Sequence, residues 1–148
     1  VNIRKASVED ASEIKELVSS LSHFYLKDEN SLLPEWFSKT LELSEFELRL
    51  SSEDFSSFVY SINDVIVGYI SIKESSHLYH LFVAENYQGK GIAKELWNYA
   101  TSDSGIDIYT VRSSIFAVPV YRRFGFKESE EATSKDGISF QSMVLVRS

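Results

Sequence analysis

The run Leu81-Phe82-Val83-Ala84-Glu85-Asn86-Tyr87-Gln88-Gly89-Lys90-Gly91-Ile92-Ala93 constrains this chain more than any other. An apolar, strand-like stretch passes through a two-glycine turn straight into a helix. Ile92, Ala93, Leu96, Trp97 and Ala100 recur there at helical spacing and share one face. The next β-rich segment, residues 108–112, follows that helix, so the natural connection is a parallel crossover. The same turn gathers free backbone N–H groups at the positive end of a helix dipole, an arrangement that suits a phosphate.

The remaining elements fit around this unit. Residues 1–5 read as a first strand. Ser7-Val8-Glu9-Asp10 has a capping-box spacing and opens a helix whose Val8, Ala11, Ile14, Leu17, Val18 and Leu21 form one apolar face. Residues 23–33 read as a connection. Pro34 starts a second helix carrying Trp36, Phe37, Leu41 and Leu43. Residues 55–62 and 65–73 form a hairpin about Asn63-Asp64, and residues 76–83 add another strand. Residues 114–124 read as a short helix closed by Gly125. Residues 126–131 and 138–146 finish as an antiparallel pair around Lys135-Asp136-Gly137. The expected order is βααβββαβαββ. With no repeat and no linker, residues 1–148 form one α/β (α+β) domain, a mixed sheet flanked by helices.

Composition excludes several functions. A net charge of −7 argues against general nucleic-acid binding, which needs clustered Lys and Arg. There are no cysteines and only three scattered histidines, so no metal site is expected. No apolar run approaches the roughly 20 residues of a membrane span, and no signal-like segment opens the chain. The expected compartment is the cytoplasm, with no membrane partner. The 43% apolar content, with 10 Phe and 8 Tyr, is enough to build a core.

The glycine turn by itself has several readings, including simple close packing of helix on sheet. A Walker A loop is excluded because Gly91 follows Lys90, and a dinucleotide fingerprint because Lys94 stands where a small residue is needed. A second motif follows about 25 residues on: Ser114-Ile115-Phe116-Ala117-Val118-Pro119-Val120-Tyr121-Arg122-Arg123-Phe124-Gly125-Phe126. Gln88-Gly89-Lys90-Gly91-Ile92-Ala93 fits a Gln/Arg-x-x-Gly-x-Gly/Ala pattern, and the second motif fits Asn/Ser-x-x-Ala-x-x-x-Tyr-x-x-x-Gly-Phe. Together, in this order, they resemble the GCN5-related N-acetyltransferases (GNAT). The resemblance is strong from Val65 to Phe126 and architectural before Phe55.

That resemblance implies a mixed sheet with splayed central parallel strands and acetyl-CoA as cosubstrate. Leu81, Phe82, Val83, Gln88, Gly89, Lys90, Gly91, Ile92, Ala93, Ser114, Ala117 and Tyr121 would bind it, the turn amides holding the pyrophosphate. Lys90 and Lys94 either add charge near the phosphates or are solvated helix lysines. The Val83 main chain would polarise the thioester carbonyl. Tyr121 would be the proton donor to the leaving thiolate, its alternative being a core aromatic. The implied reaction is direct attack of a primary amine in a ternary complex, and a non-catalytic acyl-CoA-binding or sensing module is the alternative. A plain protein-interaction domain is a further rival.

The base is open. Relatives with a carboxylate base on this strand place it four positions before Leu81, where this chain has His77, with a suitable ordinary pKa near 6.5. Ordered water is the alternative. Tyr79 shares the face of His77 by alternation, whereas His80 would point the other way unless a bulge intervenes. The family's acceptor region corresponds here to His23, Tyr25, Glu29, Trp36 and Tyr79, equally readable as an acidic loop with aromatics turned inward. Arg112 stands where the family often has Asn. It contacts CoA phosphate, a carboxylate or an anionic part of the acceptor, or it marks altered activity. A homodimer is compatible with the residues and not required by them.

Overall fold

A computed structural model describes residues 2–21, 35–102 and 104–147. In chain order the elements are β1 (Ile3–Lys5), α1 (Ala11–Ser20), α2 (Glu35–Thr40), α3 (Leu43–Ser51), β2 (Phe55–Ile62), β3 (Val65–Lys73), β4 (His77–Val83), α4 (Ile92–Thr101), β5 (Ile108–Ser114), α5 (Val118–Phe124), β6 (Lys127–Glu128), β7 (Thr133–Lys135) and β8 (Ile138–Val146). Short 3-10 turns precede α1 and follow β4. The sheet runs β1-β2-β3-β4-β5-β8-β6, with β7 also paired to β8. Every pairing is antiparallel except β4 with β5.

Local chemistry sets these elements. Ser7 and Asp10 form the capping box before α1, the Ser7 N–H donating to Asp10 Oδ2 at 2.8 Å. Asn63 and Asp64 both take left-handed backbone, the geometry of a hairpin turn matched to strand twist. Asp136 and Gly137 do the same between β7 and β8.

Two cores lie on opposite faces of the sheet. On one, Ile70, Leu78, Leu96, Trp97, Tyr109 and Phe126 pack beneath α4 and α5. On the other, Ile14, Val18, Phe46, Val59, Tyr69 and Phe82 pack beneath α1 and α3. Each large apolar side chain fully buried contributes about 1.5–3 kcal/mol, so both faces hold the sheet flat against helices.

The fold class agrees with the sequence reading, and three details differ. The second helix ends at Thr40, and Leu43 opens a separate helix, α3. Glu42 is extended (φ −71°, ψ 150°), which breaks the helical path between them. The segment 114–117 is not helical: Ser114 ends β5, and α5 begins at Val118 with Pro119 in its first turn. Of residues 126–131 only Lys127–Glu128 is strand, and the hairpin partner of β8 around Asp136-Gly137 is Thr133–Lys135.

Gly125 caps α5 in left-handed backbone at φ 108°, with its N–H and that of Phe126 returning to Arg122 and Tyr121 carbonyls. An added Cβ would approach Leu145 Cδ1 at 2.9 Å. Gly125→Ala therefore loses about 1–3 kcal/mol from strain and overpacking, measured as a lower urea midpoint with an unchanged m-value. An unchanged midpoint would show that neither effect operates.

Candidate active site

β4 and β5 pair over only two positions, His77 with Thr110 and Leu78 with Val111. Beyond them β4 stays with β3 as far as Gly68–Val83, while β5 stays with β8 as far as Ser114–Phe140. The two halves of the sheet separate, and a cleft of about 710 Å³ opens between them. Its walls are Leu81 to Val83 of β4, the start of α4, Ser114 and the cleft-facing side of α5.

The backbone explains what the gap offers. The Ala84 N–H donates to the Val67 carbonyl at 2.8 Å, which makes Gly68–Val83 a non-hydrogen-bonded pair. By alternation the N–H groups of Val83 and Leu81 point away from β3, into the gap that β5 has left. The Val83 carbonyl accepts a bond from Gln88 Nε2 at 2.9 Å, so the Gln88 side chain braces the strand end against the turn. Gly89 (φ 78°) and Gly91 (φ 84°) take left-handed backbone, and a Cβ at either would meet no protein atom within 4 Å. Gly91 is the N-cap of α4 and supplies no side-chain acceptor. The first N–H groups of that helix are therefore left for another acceptor, and the residues bearing them, Ile92, Ala93 and Lys94, border the cleft.

Leu81, Phe82, Val83, Gln88, Gly89, Gly91, Ile92, Ala93, Ser114, Ala117 and Tyr121 all border this one cleft. Lys90 does not: its Nζ lies 5.9 Å from the Tyr87 ring centroid. Lys94 does border it. Tyr121 is buried edge-on against Phe124 and Phe126, and burial raises its phenol pKa well above the ordinary value.

His77 and Tyr79 lie off this cleft, on the α1/α3 face of β4. The His77 Nδ1 sits 2.7 Å from Thr110 Oγ1, and burial, then Lys73, lowers its pKa. A bulge between Ser71 and Ile72 of β3 leaves Tyr79 unpaired and sets His80 opposite Ser71. His80 therefore shares the face of His77 and Tyr79, contrary to strict alternation, and packs against Phe46, Tyr69 and Phe82. Its Nδ1 is buried without a partner, and burial together with the Arg49 charge lowers its pKa to about 3. Trp36 is tied elsewhere: its indole N–H donates to Asp136 Oδ2 at 2.8 Å, and Lys135 Nζ lies 4.6 Å from its ring centroid. His23, Tyr25 and Glu29 lie outside the described residues.

Arg49 on α3 was not anticipated. It is buried over the Phe46 ring at 4.7 Å and 5.5 Å from the Tyr79 centroid, its NH2 group bonding the Thr40 carbonyl at 2.8 Å. Its spacing three residues after Phe46 was the available signal. A polar depression of about 350 Å³ at Asn2, Arg4 and Asn63 lies at the far edge, away from both motifs.

The sequence matches the family model for the acetyltransferase (GNAT) domain over residues 15–147. No curated protein sequence matches it. Among solved structures it is similar to a GCN5-related N-acetyltransferase from Rhodopseudomonas palustris (TM-score 0.79, 22% identity, 97% of this chain and 94% of that one). It is also similar to the PaiA N-acetyltransferase of Thermoplasma acidophilum, solved in complex with coenzyme A (0.78, 20%, 97% of each chain). A ribosomal-protein-alanine N-acetyltransferase from Brucella melitensis gives 0.69 at 18% identity over 99% of each chain. At these identities the likeness is one of fold.

His80, partly buried and with its Nδ1 shut off from solvent, makes stability pH-dependent. Its folded pKa lies below the unfolded value of about 6.5, so the unfolded chain binds the proton first and stability falls as pH drops from about 6.5 toward 3. Between pH 7 and pH 5 this amounts to roughly 2 kcal/mol. Urea titrations at both pH values should show that loss, and His80→Gln should shrink the difference by about the same amount. An equal difference in both proteins would contradict the assignment.

Proposed function

Because this chain belongs to the GNAT acetyltransferases, we propose that it transfers acetyl from acetyl-CoA to a primary amine by direct attack in a ternary complex. The observation that carries this reading is the convergence of the outward Val83 N–H, the uncapped α4 terminus and Tyr121 on one cleft. The pyrophosphate sits against the turn at residues 88–93, whose glycines let the backbone approach closely. The pantetheine arm takes the place that β5 vacates and bonds the free edge at Leu81 and Val83.

The Val83 N–H donates to the thioester carbonyl and stabilises the oxyanion that forms there. The amine lone pair forms the C–N bond, the carbonyl π pair moves to oxygen, and collapse of the intermediate breaks the C–S bond. Tyr121 faces the departing sulfur. Burial keeps its phenol protonated at working pH, above the ordinary thiol value near 8.5, so it assists chiefly by donating a hydrogen bond to the thiolate. The proton released by the amine completes the thiol.

His77 receives, through water, the separate proton that the acceptor ammonium loses before attack, and passes it to solvent. Its lowered pKa keeps it neutral at pH 7. Acceptance at Nε2 requires the tautomer in which Nδ1–H donates to Thr110 Oγ1. In the family resemblance the base comes from this strand; here the support is the position of His77 on β4 beside the point where the sheet opens.

Turnover on an amine panel tests the proposal, by thiol release and product mass. Tyr121→Phe should lower kcat by roughly 100-fold while acetyl-CoA affinity stays near wild type. Unchanged kcat would remove Tyr121 from the reaction. His77→Gln should flatten the acid limb of the pH–rate profile, and an unaltered profile would assign the proton to water alone. Acetyl-CoA binding with no CoA thiol released in the presence of any amine would favour an acyl-CoA-sensing module.

A further inference from the structure

The α1/α3 face of the sheet carries a concentration of positive charge that the acidic chain as a whole does not. Arg49 and Lys73 both lie near the Tyr79 ring, the Arg49 guanidinium carbon at 5.5 Å and Lys73 Nζ at 5.9 Å from its centroid. Lys73 is paired with His77, whose ring meets Thr110 of β5 on the same face. Alternation along β5 returns Arg112 to that face, about 7 Å beyond Thr110. Its guanidinium lies over the Phe140 ring at 4.3 Å, on the matching side of β8. Arg49, Lys73 and Arg112 thus line one surface across α3, β3, β4 and β5.

None of the three has an acidic partner among the described residues. The ion pairs there are Arg4–Asp10 and Arg122–Glu128, both elsewhere. Glu74 acts on His77, but less strongly than Lys73 does. Arg49 is the least compensated: it is buried, and its Nε has no hydrogen-bond partner. Nδ1 of His80, in the ring cluster beside it, is buried and unpartnered among the described residues as well. A buried cation without a counter-charge is costly, and a stretch of sheet where Glu74 is set against three cations favours an anion. Arg112 is exposed and offers a planar fork that matches a carboxylate.

We infer that the acceptor is an amine that also bears a carboxylate, with Arg112 bonding the carboxylate and Arg49 and Lys73 supplying the surrounding positive field. This rests on the amine acetylation proposed above and specifies its substrate class. The field has a second consequence. Cations near the acceptor disfavour its ammonium form, which helps deliver the neutral nucleophile that the reaction needs.

The test uses the full chain, acetyl-CoA and matched amines differing by one carboxylate: phenylalanine against phenethylamine, and lysine against cadaverine. The carboxylated member of a pair should show kcat/KM roughly 10- to 100-fold higher. Arg112→Asn, and separately Arg49→Met, should bring that ratio toward one. A wild-type ratio of one or below overturns the inference while leaving amine acetylation intact. So does an Arg112→Asn loss that is equal for both members and accompanied by weaker acetyl-CoA binding, because Arg112 then serves the CoA. If no amine is acetylated, the proposed function fails and binding decides the inference. The probes are then N-acetylphenylalanine and N-acetylphenethylamine, titrated against the NMR Nε–H signals of Arg49 and Arg112. A response to the acid alone supports it; equal responses, or none, overturn it.

Discussion

Backbone hydrogen bonding at one seam organises this molecule. A strand in mid-sheet normally satisfies both of its edges, yet β4 loses its β5 neighbour after Leu78 while keeping β3 to Val83. The sheet can tolerate this because each half remains well paired and each face is packed under helices. What results is an unpaired strand edge inside the protein rather than at its rim. An extended ligand with its own amide groups is the natural complement to such an edge, as a pantetheine arm is.

The seam also separates two kinds of chemistry. Toward α4 and α5 lie the glycine turn, the uncapped helix terminus and Tyr121, all arranged around the cleft. Toward α1 and α3 lie His77, Tyr79, His80 and the cations Arg49, Lys73 and Arg112, which have no acidic partner among the described residues. The reacting carbonyl would stand where these two regions meet, near the end of β4. The Gln88 side chain holds that end in place through the Val83 carbonyl. Gln88 therefore serves the cleft by bracing its backbone.

Much of this was legible in the sequence, for definable reasons. Strand alternation, the Asn63-Asp64 turn, the capping box and the strand–glycine–helix unit are local signals, and local signals survive into the fold. The helix α3 was hidden because Leu48, at 64% exposure, blurs the face marked by Phe46. The orientation of His80 depended on a bulge, which is set by pairing with β3 and leaves no mark in β4 alone. Arg49 carries a local signal in its spacing after Phe46, but its burial depends on α3 packing against Tyr79 and His80 of β4, which that spacing alone does not encode. Trp36, one of the acceptor candidates, bonds Asp136, a contact between residues 100 positions apart that no local pattern announces.

Under the proposed function the free edge of β4 and the start of α4 form one acyl-CoA seat. The most direct measurement is a titration of the 15N-labelled chain with acetyl-CoA, followed by amide chemical shifts. The largest shifts are expected at Leu81, Val83 and Gly89 to Ala93, with Ser114 and Tyr121 responding across the cleft. Shifts confined to other surfaces, or none at millimolar acetyl-CoA, would contradict it.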